Sequence, residues 1–132
     1  MTKEELRLYV PLKDEKAQIE EELAEIEALK TSPKTAKISG EAHGQASNAG
    51  LEQIIAKYEA IEAKYHAKLD EIAARLLAIE EAIETLDPTE RLLCRYRYLK
   101  GLGWEAVCVK INYSWRQTHR IHAEALRKLR DK

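Results

Sequence analysis

Eleven apolar residues between positions 51 and 86 leave this chain little choice of architecture. Leu51, Ile54, Tyr58, Ile61, Tyr65, Leu69, Ile72, Leu76, Ile79, Ile83 and Leu86 follow one another at spacings of three or four. The ten steps cover 35 residues, a mean of 3.5, with one phase slip between Tyr65 and Leu69. A strand would carry alternate residues to one face, whereas this spacing lines a single stripe of an α-helix. It is the seam of a coiled coil with a stutter-like irregularity. Either the chain's own first helix folds back to cover the stripe, or the same helix of a second copy pairs with it. The seam helix is about twice as long as the helix expected before it, so a homodimer through residues 51–86 stands level with the intramolecular hairpin.

Composition agrees with long helices on a narrow seam rather than one large globular core. Charged residues make up 34% of the 132 residues and aromatics 6%, with no Phe. No run of about 18 apolar residues is present, which excludes a membrane span. The opening MTKEELRLYV is too acidic for a secretory signal. Cys94 and Cys108 have neither zinc-type nor redox-type spacing, and they read as reduced thiols of a cytosolic protein.

The order of elements follows from caps and breaks. Residues 1–30 form an N-terminal helix: Thr2 and Glu5 have the spacing of a capping box, and Pro11 interrupts and restarts the helix. The Ser/Gly-rich stretch 31–50 breaks the pattern and reads as a flexible loop. Residues 51–86 are the coiled-coil helix. In residues 87–132, Asp87, Pro88 and Glu90 begin a new helix that ends at Gly101. A short helix starts near Trp104, "NYS" turns the chain, and Ser114 caps the last helix. Short helix, three-residue turn and longer helix have the spacing of a helix-turn-helix. The fold class expected is all-α, a long helical stem followed by a C-terminal helix-turn-helix module.

Charge is segregated along this order. Residues 1–86 hold 11 Lys+Arg against 18 Asp+Glu, a net of −7, and residues 87–132 hold 11 against 5, a net of +6. The whole-chain value of −1 therefore hides a basic module on an acidic stem, a reason to look for a polyanion partner at one end. On the last helix Thr118, Ile121, Ala125, Leu126 and Leu129 form the apolar side, with Cys108 as the small residue at the inner corner of the helix crossing. Ser114, Trp115, Arg116, Gln117, His119, Arg120 and Lys128 are the candidate DNA-binding residues. The N-terminal end of a recognition helix is the part that enters a major groove. There Arg offers a bidentate fork to guanine and Gln one to adenine, while Arg116 and Lys128 suit phosphates. Trp115, next to the cap, is expected near the surface, where it stacks on a sugar or backbone. Trp104 is expected to pack on the helix that supports the pair.

With those residues in place, "WEAVCVKINYSWRQTHRIHAEALRKLR" resembles the helix-turn-helix of sigma factor region 4, most closely in "ALRKLR" at 125–130. "ERLLCRYRYLKG" resembles the supporting helix of the same domain. The layout of the whole chain is similar to that of small phage transcriptional regulators of the RinA and ArpU type. That resemblance implies control of late or packaging genes of temperate phages. Val107 and Cys108 stand where the pattern has an Ile-Ala pair, and Thr118 where it has Val or Ile.

The function expected is sequence-specific regulation of transcription on double-stranded DNA, with RNA polymerase a further candidate partner for the acidic stem. No catalytic residue, metal or cofactor is expected. The sequence has no phosphate-binding glycine loop or nucleophile elbow, and His119 and His122, three apart on a helix, lack a third ligand. Two alternatives remain: a DNA-packaging protein resembling a terminase small subunit, and a coiled-coil adaptor whose C-terminal module binds protein. The packaging proteins usually place the helix-turn-helix first, whereas here it comes last.

Overall fold

Three helices of this chain, those that follow Thr2, Asp87 and Ser114, begin where a short polar side chain accepts one of the backbone N–H groups that a helix start leaves without a partner. The computed structural model describes residues 1–31 and 45–131, for 45–49 the backbone alone, and every element in it is helical. The Thr2 hydroxyl accepts from the Glu5 amide at 3.2 Å and opens α1 (Lys3–Arg7). After an offset at Leu8 the chain continues as α2 (Tyr9–Lys30). The interruption thus comes three residues before Pro11. Pro11 sits in the first turn of α2, where an N–H would have no intrahelical acceptor in any case.

The seam helix α3 spans Gln45–Glu84 and so starts six residues ahead of Leu51. The end of the expected loop is therefore helical. Ala46 and Ala49 favour helix, and propagation through 40 residues tolerates the cost of about 1 kcal/mol at Gly50. The remainder of that expectation, residues 32–44, lies outside the described residues.

The chain divides into two compact units, Met1–Asp14 with Ile72–Lys132, and Glu15–Glu71, with α2 and α3 running through both. In the second unit Ile19 and Ile26 are buried, and the Lys30 ammonium donates to Glu62 Oε1 at 2.8 Å. The seam is only partly covered here: Leu51, Tyr58, Tyr65 and Leu69 are half-buried, and Ile54 and Ile61 are each 39% exposed.

In the first unit the seam is closed. Ile72, Leu76, Ile79, Ile83 and Leu86 are all buried within the single chain, as are Leu6, Tyr9 and Leu12. The Tyr9 hydroxyl donates to Glu80 Oε1 at 2.6 Å, and burial, together with that bond, pushes the phenol up to about 12. Asp87 then opens α4 (Pro88–Cys94) with a reciprocal capping box, its own amide donating to Glu90 Oε1 at 3.2 Å. Helix α4 passes directly into a π-helical turn, Arg95–Leu99, in which the Lys100 amide reaches back five residues to the Arg95 carbonyl at 2.9 Å. Gly101 ends the run at φ +71, and a Cβ there would also meet Val10 at 3.3 Å. Two helices follow, α5 (Trp104–Ile111) and α6 (Trp115–Arg130), and α6 packs on both α4 and α5.

Candidate nucleic-acid interface

Three residues join α5 to α6. Asn112 takes the left-handed conformation at φ +61, which Asn tolerates better than most side chains, and turns the chain sharply. Ser114 then accepts from the Gln117 amide at 3.2 Å and fixes the start of α6. The turn and cap therefore fall on the expected residues.

Helix α6 has a sharply divided circumference. Thr118, His122, Ala125 and Leu129 are buried, a stripe of spacing four, three and four. The expected apolar side is corrected at two positions: Ile121 and Leu126 are only half-buried, and His122 joins the inward stripe. Val107 of α5 and Thr118 of α6 are both 0% exposed, while Cys108 is half-buried. The enclosed side chain is therefore Val107, and the small residue expected at the corner, Cys108, is not fully covered. The Thr118 Oγ1 is buried with no hydrogen-bond partner among the described residues.

Outward from that stripe, Trp115, Arg116, Gln117 and Arg120 are exposed, with Arg116 and Arg120 one turn apart on the side away from the core. Neither guanidinium forms an ion pair among the described residues, in contrast to Arg127, which is held by Glu124 and Asp131. Arg120 also lines a surface cavity of ≈ 810 Å³ together with Tyr113, Ile121, Asp87, Glu90 and Glu124. Exposed cations and an exposed amide stand together at the N-terminal half of one helix, beyond the cap.

Lys128 is placed differently from expectation. Its ammonium donates to Asp87 Oδ2 and to Glu90 Oε1, each at 2.9 Å. The hydrogen bonds to Asp87 and then Glu90 hold its pKa above the usual lysine value. Two carboxylates already neutralise this cation and tie the end of α6 to the start of α4, so Lys128 leaves the set available for phosphate.

His119 likewise turns inward. Its ring lies 4.5 Å from Trp104 and 4.5 Å from Trp115, centroid to centroid, and its Nε2 is buried. It is a spacer between two indoles rather than a side chain free to read a base. Trp104 also meets His122 edge-on at 4.5 Å, and Arg97 lies over the Trp104 ring at 4.6 Å. Trp104 thus joins the end of the supporting helix to α6, a wider role than packing on that helix alone. Trp115, the outermost ring, is 56% exposed, near the surface as expected.

Beneath this stack, Tyr98 and His122 share a 2.5 Å hydrogen bond between the phenol oxygen and Nε2. Burial lowers the His122 pKa to about 4, with Lys3, His119, Arg97 and Arg7 adding repulsion, and burial raises Tyr98 to about 12. Both stay neutral over the physiological range. The pair escapes a reading of the sequence by motif, although His122, four residues after Thr118 and three before Ala125, already lies on the inward stripe.

Among the described residues no group of His, Cys, Asp and Glu is arranged to hold a metal ion, and no helix is long and apolar enough to cross a membrane. Comparison with protein-family models, with curated proteins and with solved structures finds no match for this chain.

Proposed function

We propose that the chain is a sequence-specific DNA-binding regulator of transcription in which α5 and α6 act as a helix-turn-helix, with the first half of α6 entering a major groove. One observation carries this reading: Arg116, Gln117 and Arg120 stand exposed at the Ser114-capped end of α6, with neither arginine neutralised by a carboxylate among the described residues. They do so in a segment whose net charge is +6. Arg120 and Gln117 are the candidates for base edges, and Arg116 for a phosphate, because a guanidinium and a carboxamide can each make two parallel hydrogen bonds to a purine. Binding is non-catalytic, and its affinity falls with salt as counterions are released. The partly exposed seam at Leu51, Ile54, Tyr58 and Ile61 is where a second copy would pair, and the acidic stem is the surface offered to RNA polymerase or another regulator.

The test is a salt titration of wild type, Arg120→Ala and Arg116→Ala on a duplex enriched by the protein from a randomised pool and on random duplex. Arg120→Ala is expected to weaken the enriched duplex by about 1–3 kcal/mol and to leave random duplex nearly unchanged. Arg116→Ala is expected to weaken both and to lower the salt slope by about one. Unchanged affinity in both variants would remove α6 as the reading helix and leave the module as a protein-binding adaptor.

A further inference from the structure

Resting on that reading, we propose that Trp115 is a specificity determinant of the same surface, giving a preference for the C5-methyl group of thymine beside the bases contacted by Arg120 and Gln117. Arg116, Gln117 and Arg120 are long, exposed side chains with no hydrogen bond or ion pair found among the described residues. Trp115 differs from them in being both exposed and fixed. It is the first residue after the Ser114 cap, and its indole leaves 56% of the residue open to solvent.

Its ring meets His119 at 4.5 Å and an inclination of 48°, His119 meets Trp104 at 4.5 Å and 45°, and Arg97 closes the series over Trp104 at 4.6 Å. Arg97 is itself anchored, with Nη1 donating to the Leu102 carbonyl at 2.9 Å. A ring held in this way loses little conformational freedom when a ligand meets its outer surface.

The chemistry of that outer surface selects the target. An indole carbon face makes no bidentate hydrogen bond to a base edge, so it cannot copy what Arg or Gln does. In a major groove the one large apolar group on a base edge is the thymine methyl, which a flat apolar surface at the head of a reading helix can cover. The flanking arginines meet polar edges and phosphates while the indole excludes water from the methyl. One covered methyl is worth about a fourfold change in affinity.

A duplex enriched by the protein from a randomised pool is synthesised with thymine and again with deoxyuridine, which removes the methyl and keeps every hydrogen-bonding group of the base edge. Wild type is expected to bind the thymine duplex about fourfold more tightly per contacted methyl. Trp115→Ala is expected to bind both equally, with its thermal unfolding close to wild type. Trp115→Phe, which keeps an apolar ring, is expected to retain part of the preference. Equal affinity of wild type for the two duplexes, or a preference that survives in Trp115→Ala, would overturn the inference while leaving DNA recognition standing. Failure to enrich or bind any duplex would overturn the regulator reading and this inference with it.

Discussion

Replacing Thr118 by Val should make the protein more stable. Thr118 is 0% exposed on the inward stripe of α6, and its Oγ1 has no hydrogen-bond partner among the described residues. An unpartnered buried hydroxyl costs about 1–3 kcal/mol relative to water. Valine has nearly the same shape, is also β-branched and has a similar helix propensity, so neither cavity nor backbone penalty opposes the exchange. The gain expected is about 1–2 kcal/mol, or roughly 4–8 °C in unfolding midpoint for a chain of this size. Thr118→Ser separates the two ends of the side chain: it keeps the hydroxyl, loses the methyl and should cost about 1 kcal/mol. Urea unfolding followed by circular dichroism at 222 nm measures both, and an unchanged slope against urea confirms that only stability moved. A Thr118→Val protein less stable than wild type would refute the reasoning, because it would show the hydroxyl bonded in solution, most simply to the Ser114 carbonyl one turn back.

Lys128→Ala should lower the unfolding midpoint, because Glu90, 6% exposed, loses the cation that its Oε1 accepts from, yet under the proposed function the salt slope on a duplex should stay at the wild-type value. A slope lower by one would return Lys128 to the phosphate contacts. Stability should also fall on acidification between pH 6.5 and about 4. His122 is held neutral in the folded chain down to about 4 but protonates near 6.5 when unfolded, so the unfolded state binds the extra proton in that window. Its stabilising contribution is fully present above pH 6.5, and His122→Gln should flatten the slope there in a pH series of thermal melts. Finally, Cys94, fully buried with its thiol pushed up to about 12 by burial, should resist alkylation until unfolding, whereas the half-buried Cys108 should react first. Mass spectrometry of partially labelled native protein reads the order directly.

What could be read from the amino acids was local. Caps at Thr2, Asp87 and Ser114 and the glycine at 101 depend on side chains reaching no more than a few residues, and each stands where its chemistry indicated. The seam was equally legible as a stripe, but not what covers it. Burial of Ile72 and Ile79 within one chain depends on which apolar surfaces meet, and periodicity does not encode that. The candidate interface divides in the same way. Exposure of Trp115, Arg116, Gln117 and Arg120 follows from their angle on α6. The fates of Lys128 and His119 depend on partners as distant in sequence as Asp87, 41 residues away, and Trp104 on another helix. The start of α3 at Gln45 was hidden because a long helix can carry polar residues that favour a loop in isolation.

The wide turn at Arg95–Leu99 makes this module unusually sensitive to a single-codon deletion. A π turn contains one residue more than the α-helical turn it replaces, so everything beyond it is rotated by about 100° relative to an uninterrupted helix. Arg97 and Tyr98 lie inside this turn, so the direction of each toward Trp104 and His122 depends on its width. Removing one residue here would let the helix close into regular α geometry and still keep its backbone hydrogen bonds. It would nonetheless turn the phenol away from the imidazole and the guanidinium away from the indole. The stack beneath Trp115 would lose its floor without any residue of α6 having changed. A length change within these five residues would then act as a mutation of α6, and sequence variants of this kind should be scored by helical phase rather than by residue similarity.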